Sequence, residues 1–214
     1  MHLVNKSMFI LACSSRKNKG EYEARNLYTG NSLASPIKYA NHFYGDEWYI
    51  LSAEYGVIKS NTVVKDYDTS FSHPESNPVT SNKIASLFPD PKTDVELVGG
   101  KNYIKMLQEA WPESNIKNPF VDYGISYQGM WRRALKEAYN NKTEIHTWLS
   151  VHRDKYVPKK LTDQEVKDWI YVNYNLNKNM IKLAHIFRDA GYSCDEHRWE
   201  RLYKEVPIDL VTSN

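Results

Sequence analysis

The run Met8-Phe9-Ile10-Leu11-Ala12 constrains this chain more than any other segment. An uninterrupted apolar run of this length leaves no polar face for solvent, so it reads as a strand buried on both sides. Trp48-Tyr49-Ile50-Leu51-Ser52-Ala53 and Val95-Glu96-Leu97-Val98 read as two further strands. Helical segments separate and follow them. These run from Ser35 to Phe43 with Pro36 in the first turn, Val79 to Phe88, Tyr103 to Ala110 and Tyr127 to Tyr139. Asp66 to Pro78 holds His73-Pro74 and Asn77-Pro78 and reads as a loop. Strands alternating with helices predict an α/β fold, a three-layer and mainly parallel sheet with helices on both faces.

The pattern changes near Asn140-Asn141. Pro158-Lys159-Lys160 makes a polar break, and Thr162 with Glu165 forms a capping box ahead of a helix from Asp163 to Tyr174. A second helix spans Asn177 to Ala190 and ends at Gly191. A third, Glu196 to Glu205, takes Ser193 or Asp195 as its cap. Helix, glycine-containing turn and helix read as a C-terminal helix-turn-helix-like region. Arg198, Arg201 and Lys204 recur every three residues, while Trp199, Leu202 and Tyr203 would face inward. On a recognition helix that basic face would meet phosphates or a groove. The near balance of acidic and basic residues there fits equally a small helical subdomain. Residues 1–139 read as an α/β catalytic or base-binding domain, and 140–214 as a helical DNA-contacting region.

With 41% hydrophobic and 25% charged residues the composition is that of a globular protein. No apolar stretch approaches the ~20 residues of a membrane span, and Cys13 to Lys17 is no signal-cleavage region. The expectation is a cytoplasmic protein. Cys13 and Cys194 lie too far apart to suggest a disulfide framework or a zinc site, and the seven histidines form no HExxH spacing. No metal and no cofactor are expected. The net charge of +2 neither demands nor excludes nucleic acid. The 16 tyrosines and 6 tryptophans suit stacking on bases as well as ordinary cores.

Loops behind the strands carry the candidate chemistry, because ligands of α/β sheets bind at strand ends. Cys13-Ser14-Ser15-Arg16-Lys17 follows the first strand and Ser52-Ala53-Glu54-Tyr55-Gly56 the second. Gly99-Gly100-Lys101-Asn102-Tyr103 follows the third, and Gly124-Ile125-Ser126-Tyr127-Gln128-Gly129 precedes the helix of Trp131. Glycines beside helix starts offer backbone amides to an anion. Glu54, Asp66 and Asp68 are the acid–base candidates, with turn capping as the alternative for the two aspartates.

Taken in order, several blocks resemble a prokaryotic and phage domain family of uncharacterised function. They are Cys13-Ser14, Leu27-Tyr28-Thr29-Gly30, Leu51-Ser52-Ala53-Glu54-Tyr55-Gly56, Tyr67-Asp68-Thr69, Gly100 with Tyr103, and Gly124-Ile125 ahead of Trp131. The resemblance covers roughly residues 8 to 138. The Cys-Ser-x-x-Lys arrangement is also similar to the core motif of archaeosine synthases, whose domain resembles the uracil-DNA-glycosylase type of α/β fold. A more distant similarity is to bacterial peroxide-stress DNA-binding proteins. Some prokaryotic defence systems use DNA glycosylases against phage genomes with modified bases, and the layout fits such a role.

The resemblance implies a DNA glycosylase that excises a modified base, such as a phage hypermodified base, from double-stranded DNA without a cofactor. In that reading Asp68 and Glu54 are the catalytic carboxylates, and Lys17 neutralises the leaving base or acts as an amine. Tyr28, Tyr55 or Tyr127 stacks on the base and Gln128 reads its edge. Cys13, Ser14, Ser15, Ser52, Gly99, Gly100 and Tyr103 complete the pocket. Arg16, Arg132, Arg133, Arg198, Arg201 and Lys204 grip the DNA. The alternatives are a non-catalytic DNA-binding stress or defence protein and an enzyme acting on free nucleosides or nucleotides.

Overall fold

The computed structural model describes residues 7–30, 33–125 and 128–207. The chain divides into two compact units, Met1–Val151 and His152–Asn214.

The first unit opens with β1 (Met8–Ala12), β2 (Glu21–Glu23), α1 (Ala24–Leu27), α2 (Ala34–Tyr44), β3 (Trp48–Ser52), β4 (Gly56–Lys59) and β5 (Val63–Lys65). It continues with α3 (Ser81–Leu87), β6 (Asp94–Val98), α4 (Lys101–Ala110), β7 (Asn115–Lys117), α5 (Gln128–Asn140) and α6 (Ile145–His152). Five strands form a mostly parallel sheet of order β4-β3-β1-β6-β7. β1 pairs in parallel with β3 and β6, β6 pairs in parallel with β7, and β4 returns antiparallel along β3.

The apolar run of β1 is explained by this central place. Successive strand side chains point to opposite faces. Phe9 stacks on Tyr44 with ring centroids 4.7 Å apart and lies 5.9 Å from Tyr39 of α2. Ile10 packs instead with Leu51, Leu97, Ile84 of α3, Leu107 of α4 and Trp111. α6 belongs to this unit, and the Ile145 amide donates to the Tyr39 hydroxyl at 2.8 Å.

From β1 the main sheet grows to one side through β3 and β4, then returns to the other side through β6 and β7. The connection therefore changes direction beside β1. In open α/β sheets such a switch point leaves a crevice at the carboxyl ends of the two diverging strands.

The second unit contains β8 (Lys159–Lys160), α7 (Asp163–Asn173), α8 (Met180–Asp189), β9 (Tyr192–Ser193) and α9 (Glu196–Glu205). Val166, Ile170, Leu183, Phe187, Trp199 and Leu202 form its core. The capping box of Thr162 and Glu165 is present. Asp195, rather than Ser193, caps α9 by accepting the Arg198 amide at 2.9 Å. α8 starts three residues later than its periodicity suggests, because Asn179 accepts the Lys182 amide at 3.0 Å and so fixes the start. Gly191, at φ +93°, ends α8 in a conformation that a side chain resists. It leads into β9, which pairs with β8, so the turn between α8 and α9 is part of a two-stranded ladder. Among the described residues no helix is long and apolar enough to cross a membrane.

Candidate functional site

A cavity of about 140 Å³ opens at the switch point. Ala12 and Cys13 at the end of β1 and Val98, Gly99 and Gly100 at the end of β6 form one side. Leu33, Pro36, Tyr103, Gln128, Trp131 and Arg132 form the rest. A neighbouring depression of about 250 Å³ shares Gly100 and Tyr103 and is bounded by Phe71, Ser72, Lys101 and Asn102.

The two glycines have different causes. A Cβ at Gly99 would lie 3.1 Å from the Cβ of Ala12 and 3.3 Å from Tyr103 Cδ2, so packing of β1 against β6 demands glycine there. Buried Asn118 fixes the same residue, donating to the Gly99 carbonyl at 2.9 Å while accepting the Phe120 amide at 2.9 Å. A Cβ at Gly100 would meet nothing closer than 3.8 Å. Gly100 is the N-cap of α4 and caps it with no side chain. The amides of Lys101 and Asn102 therefore have no intrahelical partner, and they sit at the positive end of the helix dipole.

Behind the cavity lies a network of hydroxyl groups. Tyr67 is its centre, with its hydroxyl 2.8 Å from Ser52 Oγ and 2.9 Å from the Tyr28 hydroxyl. Ser52 Oγ also accepts the amides of Glu54 and Tyr55, at 3.2 and 3.1 Å. Burial raises the pKa of the Cys13 thiol; the Ala53 amide, Tyr67 and Lys17 oppose this. Burial likewise pushes the Tyr67 and Tyr28 phenols up. The Lys17 Nζ sits 4.1 Å from the centroid of the Tyr67 ring. Burial lowers the pKa of that ammonium, and the nearby Cys13, Asp68 and Asp66 act in the opposite direction.

The sequence-predicted residues thus fall into groups. Cys13, Gly99, Gly100, Tyr103, Gln128 and Arg132 come together around the cavity. Ser52 and Tyr28 are closed off, Tyr28 being only 3% exposed, so neither offers itself to a ligand. The expected stacking of Tyr28 on a base is corrected by this burial. Tyr55 packs edge-on against Tyr67 and donates to the Lys65 carbonyl at 3.1 Å. Ser14 hydrogen-bonds the Arg16 carbonyl at 3.2 Å, and Ser15 and Arg16 are exposed. Glu54 is exposed and bonded to Thr69. Asp66 accepts the Gly20 amide at 2.9 Å and pairs with Lys19 at 3.1 Å, which makes it a turn residue. Asp68 is exposed near Lys17 and makes no hydrogen bond among the described residues. Neither Glu54 nor Asp68 lines the cavity. Tyr127 lies outside the described residues.

The proposed DNA-gripping cations are largely engaged. Arg133 pairs with Glu137 at 2.9 Å. Arg198 and Arg201 both reach Asp163 at 2.7 Å, and Lys204 reaches Glu200 at 2.7 Å. Arg132 is half-buried in the cavity wall and pairs with no carboxylate among the described residues.

Leu33, Pro36, Asn118, Trp131 and Tyr67 carry site roles that the spacing of motifs did not assign. Asn118 stands before Pro119, a pairing that marks a turn but not a buried polar clamp. Trp131 reads as core, and it does stack on Phe120 and donate to the Ile125 carbonyl at 2.6 Å while its edge meets the cavity.

Residues 8–134 match a family described as a family of unknown function, DUF6884. The uncharacterized protein YfjM of Bacillus subtilis (strain 168) is 30% identical over 155 residues, covering 65% of this chain and 99% of YfjM. No solved structure matches the chain.

Proposed function

The chain belongs to the DUF6884 family, and from that premise we propose that its α/β unit is a DNA glycosylase that cleaves the N-glycosidic bond of an extruded, modified base. The observation that carries this reading is the cavity of about 140 Å³ at the switch point. A dry cavity of about 150 Å³ takes a benzene ring. The site therefore suits a single-ring base and leaves the sugar outside. Enzymes that act on a base must bring it out of the stack. The neighbouring depression around Phe71 and Ser72 gives the sugar and a flanking phosphate a place to lie.

In this reading Tyr103 supplies the aromatic wall and Gln128 reads the base edge. Arg132 and the free amides at the start of α4 meet phosphate or carbonyl oxygens. Positive charge develops on the sugar as the bond breaks, and in this reading the carboxylate of Asp68 stabilises it. The three-layer reading of the sheet unit puts α2 and α5 on one face and α3 and α4 on the other. The second unit, read as helix-turn-helix-like, adds contacts to the duplex. A cytoplasmic protein acting on phage hypermodified cytosines would serve defence.

Asp68→Asn tests the mechanism. Base release falls to background while DNA binding persists; unchanged turnover removes Asp68 from the chemistry. One observation favours a second reading, DNA binding without cleavage: no carboxylate is among the described residues that line the cavity. That reading gives salt-sensitive binding with no base released from any DNA.

A further inference from the structure

We propose that the contact between Glu96 of β6 and His146 of α6 is a pH-sensitive clasp. It holds the first turn of α6 on the sheet while His146 carries its positive charge, and it loosens when that charge is lost. The inference stands apart from the glycosylase reading.

Glu96 is placed where a carboxyl is hard to keep. Its neighbours Val95 and Leu97 pack with Ile10, Leu107 and Trp111. Successive strand side chains alternate, so Glu96 takes the other face, level with Phe9 in the register of β1 and β6. Its side chain is only 15% exposed. Oε1 lies 2.7 Å from His146 Nε2. Oε2 is buried and has no hydrogen-bond partner among the described residues. A carboxylate taken from water without full compensation is costly, and a charged donor offsets more of that cost than a neutral one. The burial of Glu96 therefore depends on His146.

The ring also faces further charges. Glu96 and His146 border a cavity of about 350 Å³ that meets Asp94, Lys117, Asp122 and Glu144. From α2 the cavity is bounded by Tyr39 and Tyr44. Burial pushes both phenols up, so they stay neutral where a histidine titrates. Lys117 stands opposite Glu96 in the register of β6 and β7. The hydrogen bond to Glu96 raises the His146 pKa, burial lowers it, and the charges of Glu96, Asp122 and Glu144 raise it again. An imidazolium balances these carboxylates. A neutral ring leaves them to repel one another, with Lys117 as the opposing cation. The His146 side chain is 48% exposed, so its proton exchanges with solvent.

The clasp acts on one end of a docked helix. Ile145 and Leu149 are buried and keep α6 on the unit. At the first turn the Ile145 amide donates to the Tyr39 hydroxyl at 2.8 Å, and the Tyr123 hydroxyl donates to the His146 carbonyl at 3.2 Å. A histidine whose pKa is raised by folding adds stability that is fully present below its unfolded value of about 6.5. That stability is lost as pH rises through the folded value.

The test is an NMR titration of the histidine rings in the full chain, with His146→Gln to assign the signal. The wild-type midpoint of His146 is expected above about 6.5. Glu96→Gln, which keeps an acceptor for Nε2 and removes the charge, is expected to bring it down. Amide hydrogen exchange on the same samples follows Ile145 and Trp148, whose amide donates to the Glu144 carbonyl at 2.9 Å. Their protection factors are expected to fall about threefold or more as pH passes through the His146 midpoint. His146→Gln is expected to lack that step. A wild-type midpoint at or below about 6.5, a midpoint unmoved by Glu96→Gln, or protection that stays flat across it would overturn the proposal. The wild-type midpoint and exchange step decide the matter even where a variant fails to fold.

Discussion

The Tyr67 hydroxyl lies 2.8 Å from Ser52 Oγ, and through that contact the segment after β5 is tied to the turn that ends β3. Ser52 is fully buried. A slot behind Cys13 is thereby filled by hydroxyl groups rather than by apolar side chains. Tyr67→Phe removes one oxygen and leaves the ring beneath Lys17. Ser52 still accepts two amides, and the buried Tyr28 hydroxyl keeps Ser52 as a partner while losing Tyr67. The expected cost is about 0.5–1.5 kcal/mol, that of one hydrogen bond, read by urea unfolding. A cost well above that range would mean that the Tyr28 hydroxyl is left unsatisfied.

Gly99 and Gly100 separate fold from function. Gly99→Ala forces a Cβ against Ala12 and is expected to destabilise the first unit by about 1–3 kcal/mol. Gly100→Asp places an acceptor at the empty N-cap of α4. Stability is expected to hold or rise by a few tenths of a kcal/mol, roughly the preference of an N-cap for aspartate over glycine. DNA binding is expected to fall, because the new side chain occupies the amides that a ligand oxygen would use. Calorimetry and fluorescence anisotropy on the same samples check both halves.

Arg132 is expected to act on a phosphate. Arg132→Ala should reduce the slope of log affinity against log salt by about 0.9, the share of one phosphate contact on duplex DNA. Arg133→Ala, which removes a side chain already paired with Glu137, should change the slope less. Equal slopes in wild type and Arg132→Ala would show that the guanidinium touches no phosphate.

In the second unit Asp163 joins two arginines of α9. Hydrogen bonds from Arg201 and then Arg198 hold its carboxyl below the usual carboxylate range. A depressed carboxylate contributes stability above its unfolded pKa of about 3.9, and that stability is lost as pH falls through the folded value. Asp163→Asn is therefore expected to lower the melting temperature at pH 7. The gap from wild type should close as the pH falls below the folded value. A gap that persists in acid would assign the effect to packing. The same substitution takes the carboxylate from Arg198 and leaves Arg201 paired with Glu205 at 3.0 Å; a gain in salt-sensitive DNA binding would show that Arg198 is available for phosphates once released.

The strongly patterned parts of the fold were legible in the sequence. β1 and α9 fall where apolar runs, spacing and capping residues put them, because local signals there agree with the tertiary role. The missed elements lack such signals. β7 has one buried apolar residue, Ile116, and exists because β6 offers it a parallel edge. β4 is held by its register with β3, Ser52 opposite Gly56. At the site, glycines and small residues behind strands marked the loops that line the cavity, Cys13 after β1 and Gly99 and Gly100 after β6. The fate of individual side chains was not legible, since Tyr28 and Tyr55 look alike in sequence and only packing buries the first. The arginines of α9 also show why spacing misleads: their period is right for a binding face, but Asp163, 35 and 38 residues away, claims both.

The most direct test of the central claim is the release of free base from phage DNA containing hypermodified cytosines, beside the same genome without modification. Mass spectrometry identifies the base and an aldehyde-reactive probe counts abasic sites. The account predicts release from the modified DNA alone, abolished by Asp68→Asn and weakened by Gly100→Asp. Intact binding with no base released from either DNA would contradict it and leave a DNA-binding protein.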